Sequence, residues 1–164
     1  MLFRSLPNAL VSFKNINIKL CNEIQFSHGG QYFACANSSA VTVYKFYTGE
    51  SPADFTFKGH SGPVKSISWL EDDTGFATLA WDSSIFLWKL FPDKAIDESG
   101  ASSYENKAGL PVWEFKIKNN TFNCVSIFRP EPKEGEDCEP IVYCTVNSDK
   151  SIREIKTLQV KNGD

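Results

Sequence analysis

A pattern of short apolar runs and polar turns recurs along this chain, and that recurrence limits the fold more than any other feature. One copy runs through Ile24-Gln25-Phe26, Tyr32-Phe33-Ala34 and Val41-Thr42-Val43-Tyr44. The next runs through Ile67-Ser68-Trp69, Phe76–Ala80 and Ile85–Trp88, so that Trp88 stands 44 residues after Tyr44. A looser third copy runs through Val125–Phe128, Val142–Thr145 and Ile152–Ile155. The runs are rich in β-branched and aromatic residues, and Ser27-His28-Gly29-Gly30, Asp72-Asp73-Thr74-Gly75 and Asp82-Ser83-Ser84 punctuate them. No helical stripe of ten or more residues interrupts them, so the expected fold is all-β. Repeats of this length cannot bury their apolar faces alone and must stack on one another. Strand-like character is expected over Ile16–Phe26, Val41–Tyr44, Val64–Trp69, Ile85–Trp88, Trp113–Ile117, Val125–Phe128 and Ile141–Val146.

Composition removes several classes of function. The 164 residues are 41% hydrophobic and 23% charged, which is too apolar for a disordered chain. A net charge of -3 with dispersed basic residues argues against broad capture of nucleic acid. No apolar run is long enough to span a membrane, and residues 1–7 show no secretory signal. The five cysteines, at 21, 35, 124, 138 and 144, form no C-x-x-C pair. Cys35, Cys124 and Cys144 lie in strand-like runs and are expected to be buried as small hydrophobes in a reducing compartment. Neither a metal nor another cofactor is expected. Asn37-Ser38-Ser39 and Asn119-Asn120-Thr121 match the glycosylation triplet, a pattern too short to decide anything.

The middle copy, from Gly59-His60-Ser61-Gly62-Pro63-Val64 to Trp88-Lys89, resembles the WD40 repeat over its whole length, with Lys89 where Asp is usual. The resemblance implies a β-propeller blade. It places His60, Thr78, Asp82 and Trp88 in a hydrogen-bonded structural tetrad, with Asp82 accepting from the His60 ring and Thr78 joining His60 to Trp88. Each such bond stabilises by about 0.5–1.5 kcal/mol. A His beside an Asp also suits general-base catalysis. No nucleophile elbow, Gly-rich phosphate loop or metal cluster accompanies the pair, so an enzyme is not expected. In the third copy Lys118 and Ile155 fall at the places of His60 and Trp88, though Thr145 and Asp149 remain. The first copy has no Asp at the turn, so both outer copies are expected to rely on apolar packing. His28 replaces the usual Pro-Asp pair and reads as a solvated turn residue.

The chain therefore divides into a remnant of a preceding blade (1–14), a first WD40-like blade (15–57), a second (58–117) and a third (118–164). Leu10–Phe13 and Leu158–Val160 read as outer strands of incomplete blades. The expected fold is about three WD40 blades forming a sector of a larger β-propeller, since propellers use 4–8 blades. Missing blades would come from the same or another chain. Two insertions, 91–110 and 129–140, would project from one face. Phe91 and Tyr104 in the first, and Glu131, Glu134, Glu136, Asp137 and Glu139 in the second, are the candidate partner contacts.

A narrower resemblance covers roughly residues 10–157. Phe26–Ala34 with Val43-Tyr44, Phe57–Gly62, Phe122–Val125 and Ser148–Ile155 are similar to the cilia- and flagella-associated protein 57 family. The insertions depart from that pattern, as does Ser83-Ser84 where Gly is common. The resemblance implies a non-catalytic scaffold or adaptor of the axoneme in motile cilia. Its implied partners are other axonemal proteins: inner-arm dynein, regulatory-complex subunits or tubulin. Neither nucleic acid nor membrane is implied. The alternative is a cytosolic WD40 peptide-binding adaptor outside cilia.

Overall fold

The computed structural model describes residues 18, 20–52, 55–91, 94–96, 102–104, 111–116, 122–131, 138–146 and 149–156. Within them lie β1 (Glu23–Phe26), β2 (Tyr32–Asn37), β3 (Ala40–Lys45), β4 (Thr56–Lys58), β5 (Val64–Trp69), β6 (Gly75–Ala80) and β7 (Ser84–Lys89). There follow β8 (Lys94–Ile96), β9 (Ser102–Tyr104), β10 (Trp113–Lys116), β11 (Phe122–Phe128), β12 (Ile141–Val146) and β13 (Ile152–Lys156). Three antiparallel meanders result: β1-β2-β3-β4, β5-β6-β7-β10 and β11-β12-β13. The segment between β7 and β10 carries its own hairpin, β8-β9. We call the end at which β1, β5 and β11 start the front, and the end at which they finish the back.

The sheets are stacked blades, and the cores lie between them. One apolar layer joins Ala34, Ala36, Val41, Val43 and Phe57 of the first blade to Val64, Trp69, Phe76, Phe86 and Trp88 of the second. A separate layer joins Ala77, Leu79, Ile85 and Leu87 to Phe122, Val125, Ile127, Val142 and Cys144 of the third. Strand side chains alternate faces, so the middle blade needs apolar residues on both. Accordingly β6 is buried at every position, with Phe76, Thr78 and Ala80 facing one neighbour and Ala77 and Leu79 the other. β12 is buried only at alternate positions, on the side of the second blade.

Several local expectations change. Among the described residues strand structure begins at Glu23, with 16, 17 and 19 of the expected strand lying outside them, and the third copy's first strand includes Phe122, where a bulge separates it from Val125. That bulge turns Cys124 outward. It is exposed, with its Sγ 3.1 Å from Thr145 Oγ1, contrary to its expected burial. Cys35 and Cys144 are buried, and burial pushes their thiols up to about 12 and about 11. The outer strands expected at 10–13 and 158–160 lie outside the described residues.

Candidate functional site

The polar site sits at the front of the second blade, on the face packed against the first. β6 supplies Thr78 and β7 supplies Ser84 and Trp88, while His60 comes from the turn between β4 and β5. His60 Nε2 lies 2.6 Å from Thr78 Oγ1, and the Trp88 indole N–H donates to the same oxygen at 2.8 Å. The sequence predicts that the other imidazole nitrogen donates directly to Asp82, but the two do not meet in a hydrogen bond. His60 Nδ1 is 4.0 Å from Asp82 Oδ1 and only 2.7 Å from Ser84 Oγ, and Ser84 Oγ donates to Asp82 Oδ1 at 2.6 Å. Ser84 is thus a fifth member, while Ser83, at φ 63°, holds the place in the turn where glycine is common.

Proton counting fixes the direction of the whole chain. Ionised Asp82 only accepts, so the single Ser84 hydroxyl proton goes to it. The Ser84 oxygen must then accept from His60 Nδ1–H, which leaves Nε2 as an acceptor. Thr78 O–H donates to Nε2 while its oxygen receives the Trp88 N–H. Every buried side-chain polar atom among the described residues is satisfied. Burial holds His60 neutral, moving its pKa down to about 4 against the opposing pull of Asp82, with Lys116 reinforcing the decrease. Burial alone would raise Asp82. Hydrogen bonds from the Ser84 hydroxyl and amide and from the Ser61 amide outweigh it, with His60 adding to them, and hold Asp82 near 2. The His60 side chain is 1% exposed and both of its nitrogens are engaged. Its geometry orders a turn and two strands and offers no lone pair to a substrate.

Other polar residues join blade to blade. At the back, Asp73 accepts from the backbone N–H groups of His28 and Gly29, both at 2.8 Å, and His28 Nδ1 lies 3.1 Å from the Leu70 carbonyl. His28 is exposed but tied to the second blade, not a free turn residue. Asp72 pairs with Arg129 of the third blade. Along the inner strands, Ser66 Oγ and Ser68 Oγ accept from Val125 N–H and Ile127 N–H at 3.3 and 3.2 Å. Trp69 donates across to the Gln25 carbonyl at 3.1 Å. No local sequence pattern announces these ties, because each joins residues more than forty positions apart.

Of the candidate contact residues, Phe91 follows β7 and Glu131 and Glu139 lie in the connection between β11 and β12, all at the back end. Phe91 is about half exposed, and its ring lies 5.9 Å from Phe55 and 6.2 Å from Tyr32 of the first blade. Tyr104 falls in β9. Glu131 and Glu139, near the two ends of the acidic insertion, are exposed, while Glu134, Glu136 and Asp137 lie outside the described residues. The large exposed aromatic residues also include Phe26, Phe46, Tyr47 and Trp81.

The WD domain, G-beta repeat family matches residues 53–89, the stretch that holds His60, Thr78, Asp82, Ser84 and Trp88. The Cps50 (Swd1) β-propeller domain of Myceliophteria thermophila superimposes with a TM-score of 0.50 at 13% identity, over 83% of this chain and 38% of that one. The chain is a sector of a WD40-repeat β-propeller. Among curated proteins this WD40 sector is 34% identical to cilia- and flagella-associated protein 57 A of Tetrahymena thermophila, over 90% of its own length. It is 29% identical to cilia- and flagella-associated protein 57 of Mus musculus over 87% of its length. The sector spans 12% and 9% of those two relatives.

Proposed function

We propose that this WD40 sector is a non-catalytic part of a ciliary scaffold, acting in the axoneme to hold other proteins together. The observation that carries the reading is the sequence similarity to relatives named as cilia- and flagella-associated, which runs through nearly the whole chain. The geometry supports it. The His60–Asp82 pair is consumed in an internal hydrogen-bond chain, and the ties between blades set the turns as rigid platforms for partners. In this reading the partners are axonemal: inner-arm dynein, regulatory-complex subunits or tubulin. The back-end insertions, through Phe91, Tyr104, Glu131, Glu134, Glu136, Asp137 and Glu139, supply contacts. Flanking blades, from this chain or another, complete the ring.

The test is to tag the full-length protein in a ciliated cell and extract the cilia with detergent. Retention on isolated axonemes is the expected result. A diffuse cytosolic signal absent from axonemes overturns the scaffold reading and favours a cytosolic adaptor.

A further inference from the structure

We infer that the front of this sector, around Trp81 and Lys65, is a docking site for an acidic polypeptide segment. It is distinct from the back-end insertions and independent of where in the cell the protein resides.

Trp81 begins the turn between β6 and β7 and is 67% exposed, although every residue of the strand leading into it is buried. A bare indole of this kind at a rigid turn is unusual on a surface and common at the centre of protein interfaces. The turn is held from below: Trp81 N–H donates to the Pro63 carbonyl at 2.9 Å, and Asp82 receives the amides of Ser61 and Ser84. A partner would therefore meet an ordered side chain and lose little entropy in fixing it.

Lys65 is the extra residue of a bulge between Val64 and Ser66, and bulges re-aim side chains. Its ammonium lies 4.6 Å from the Trp81 ring centroid and donates to the Phe122 carbonyl of the next blade. One face of the indole is thus covered by a cation whose other N–H groups remain available to an acceptor.

The charges around this end favour an anionic visitor. Lys58, Lys65, Lys116 and Lys150 lie at the front, against Glu23, Asp82 and Glu114, while Arg153 and Asp149 there pair with one another at 2.9 Å. Of those carboxylates, Asp82 already accepts from the Ser84 hydroxyl and amide and from the Ser61 amide. The back end has the opposite balance, with Glu50, Glu71, Asp72, Asp73, Glu131 and Glu139 against Lys45, Lys89 and Arg129. An acidic segment is attracted to the front and repelled from the back. A basic segment, a second copy's front face included, is repelled from the front.

The experiment uses purified full-length protein and a fluorescein-labelled glutamate-rich peptide of about a dozen residues containing one phenylalanine, followed by anisotropy. Saturable binding that weakens with added salt is expected. Trp81→Ala should weaken it at least about tenfold, and Lys65→Gln by a similar factor, with Lys65→Arg restoring most of it. Glu71→Ser at the back should leave it unchanged. Lys116→Gln, at an exposed position with no role in the turn, keeps the test valid if Lys65→Gln fails to fold, and should weaken binding less than Trp81→Ala. Absence of saturable binding overturns the inference, as do equal binding of a lysine-rich peptide and full affinity in folded Trp81→Ala. Axonemal retention in the tagging experiment is unaffected by any of these outcomes, so the two readings fail separately.

Discussion

His60 and Asp82 stand 4.0 Å apart at their nearest nitrogen and oxygen, and the Ser84 hydroxyl bridges them with contacts of 2.7 and 2.6 Å. Removing that hydroxyl leaves His60 Nδ1–H without an acceptor in a site that water does not reach. Ser84→Ala should therefore destabilise the folded protein by about 1–3 kcal/mol. Ser84→Thr keeps the oxygen and should cost clearly less. Chemical denaturation of both variants measures the difference. Equal midpoints for wild type and Ser84→Ala would show that the bridge carries no stability.

The same chain gives stability a pH dependence with a definite sign. His60 has a pKa near 4 when folded and 6.5 as an unfolded-type histidine. Between those values the unfolded chain takes up a proton that the folded chain refuses. Stability from this group is therefore complete above about pH 6.5 and falls as pH drops toward 4, by up to about 3 kcal/mol. Asp82, held near 2 against 3.8, adds a further loss only below about pH 4. Thermal unfolding from pH 7.5 to 4.5 should show the first loss in wild type and not in His60→Gln. An identical slope in both would assign it elsewhere.

Asp73 is a second test of how the blades hold together. It sits in the left-handed region at φ 57° and bonds two backbone N–H groups of the first blade. Asp73→Ala removes both acceptors and keeps the backbone cost, so a loss of about 1–3 kcal/mol is expected. Asp73→Asn retains one carbonyl acceptor and tolerates the same φ, so it should lose less. Gly29→Ala attacks the same contact from the other side, since a Cβ there would lie 2.7 Å from Asp73 Oδ2. Hydrogen exchange at the His28 and Gly29 amides should accelerate in Asp73→Ala and Gly29→Ala, and unchanged exchange would count against the tie.

How much of this was legible beforehand depends on how local the signal is. The repeat showed because each blade writes its strands and turns within one short stretch, and His60, Thr78, Asp82 and Trp88 occupy its marked places. Ser84 carries no such mark because Ser83-Ser84 looks like an ordinary polar turn pair, and its role exists only once the His60 ring arrives from the preceding turn. The partners of Asp73, Ser66 and Ser68 belong to neighbouring blades, and stacking rather than spacing selects them. The bulges that aim Lys65 and expose Cys124 are equally invisible, because one extra residue in a strand leaves the alternation almost unchanged.

Gly75 makes the sharpest demand on the backbone. It opens β6 opposite Lys89, and a Cβ built there would collide with the Trp88 carbonyl oxygen and lie 3.5 Å from the Leu70 side chain. The obstructing atom belongs to the backbone of the adjacent strand, so no rotamer change can clear it. Relief requires β6 and β7 to separate at this point. That would disturb the Leu70 N–H to Gly75 carbonyl bond and the Leu90 N–H to Thr74 carbonyl bond, both 2.9 Å, which close the back of the blade. It would also shift Trp88, whose indole anchors the hydrogen-bond chain at Thr78. Gly75→Ala should therefore cost about 3 kcal/mol or more despite adding a single methyl group. Gly30→Ala is the comparison, because its Cβ would meet nothing within 4 Å and it bears only the penalty of its φ of 68°, about 1–2 kcal/mol. If the two variants unfold at the same denaturant concentration, steric closure at Gly75 is not what the blade depends on.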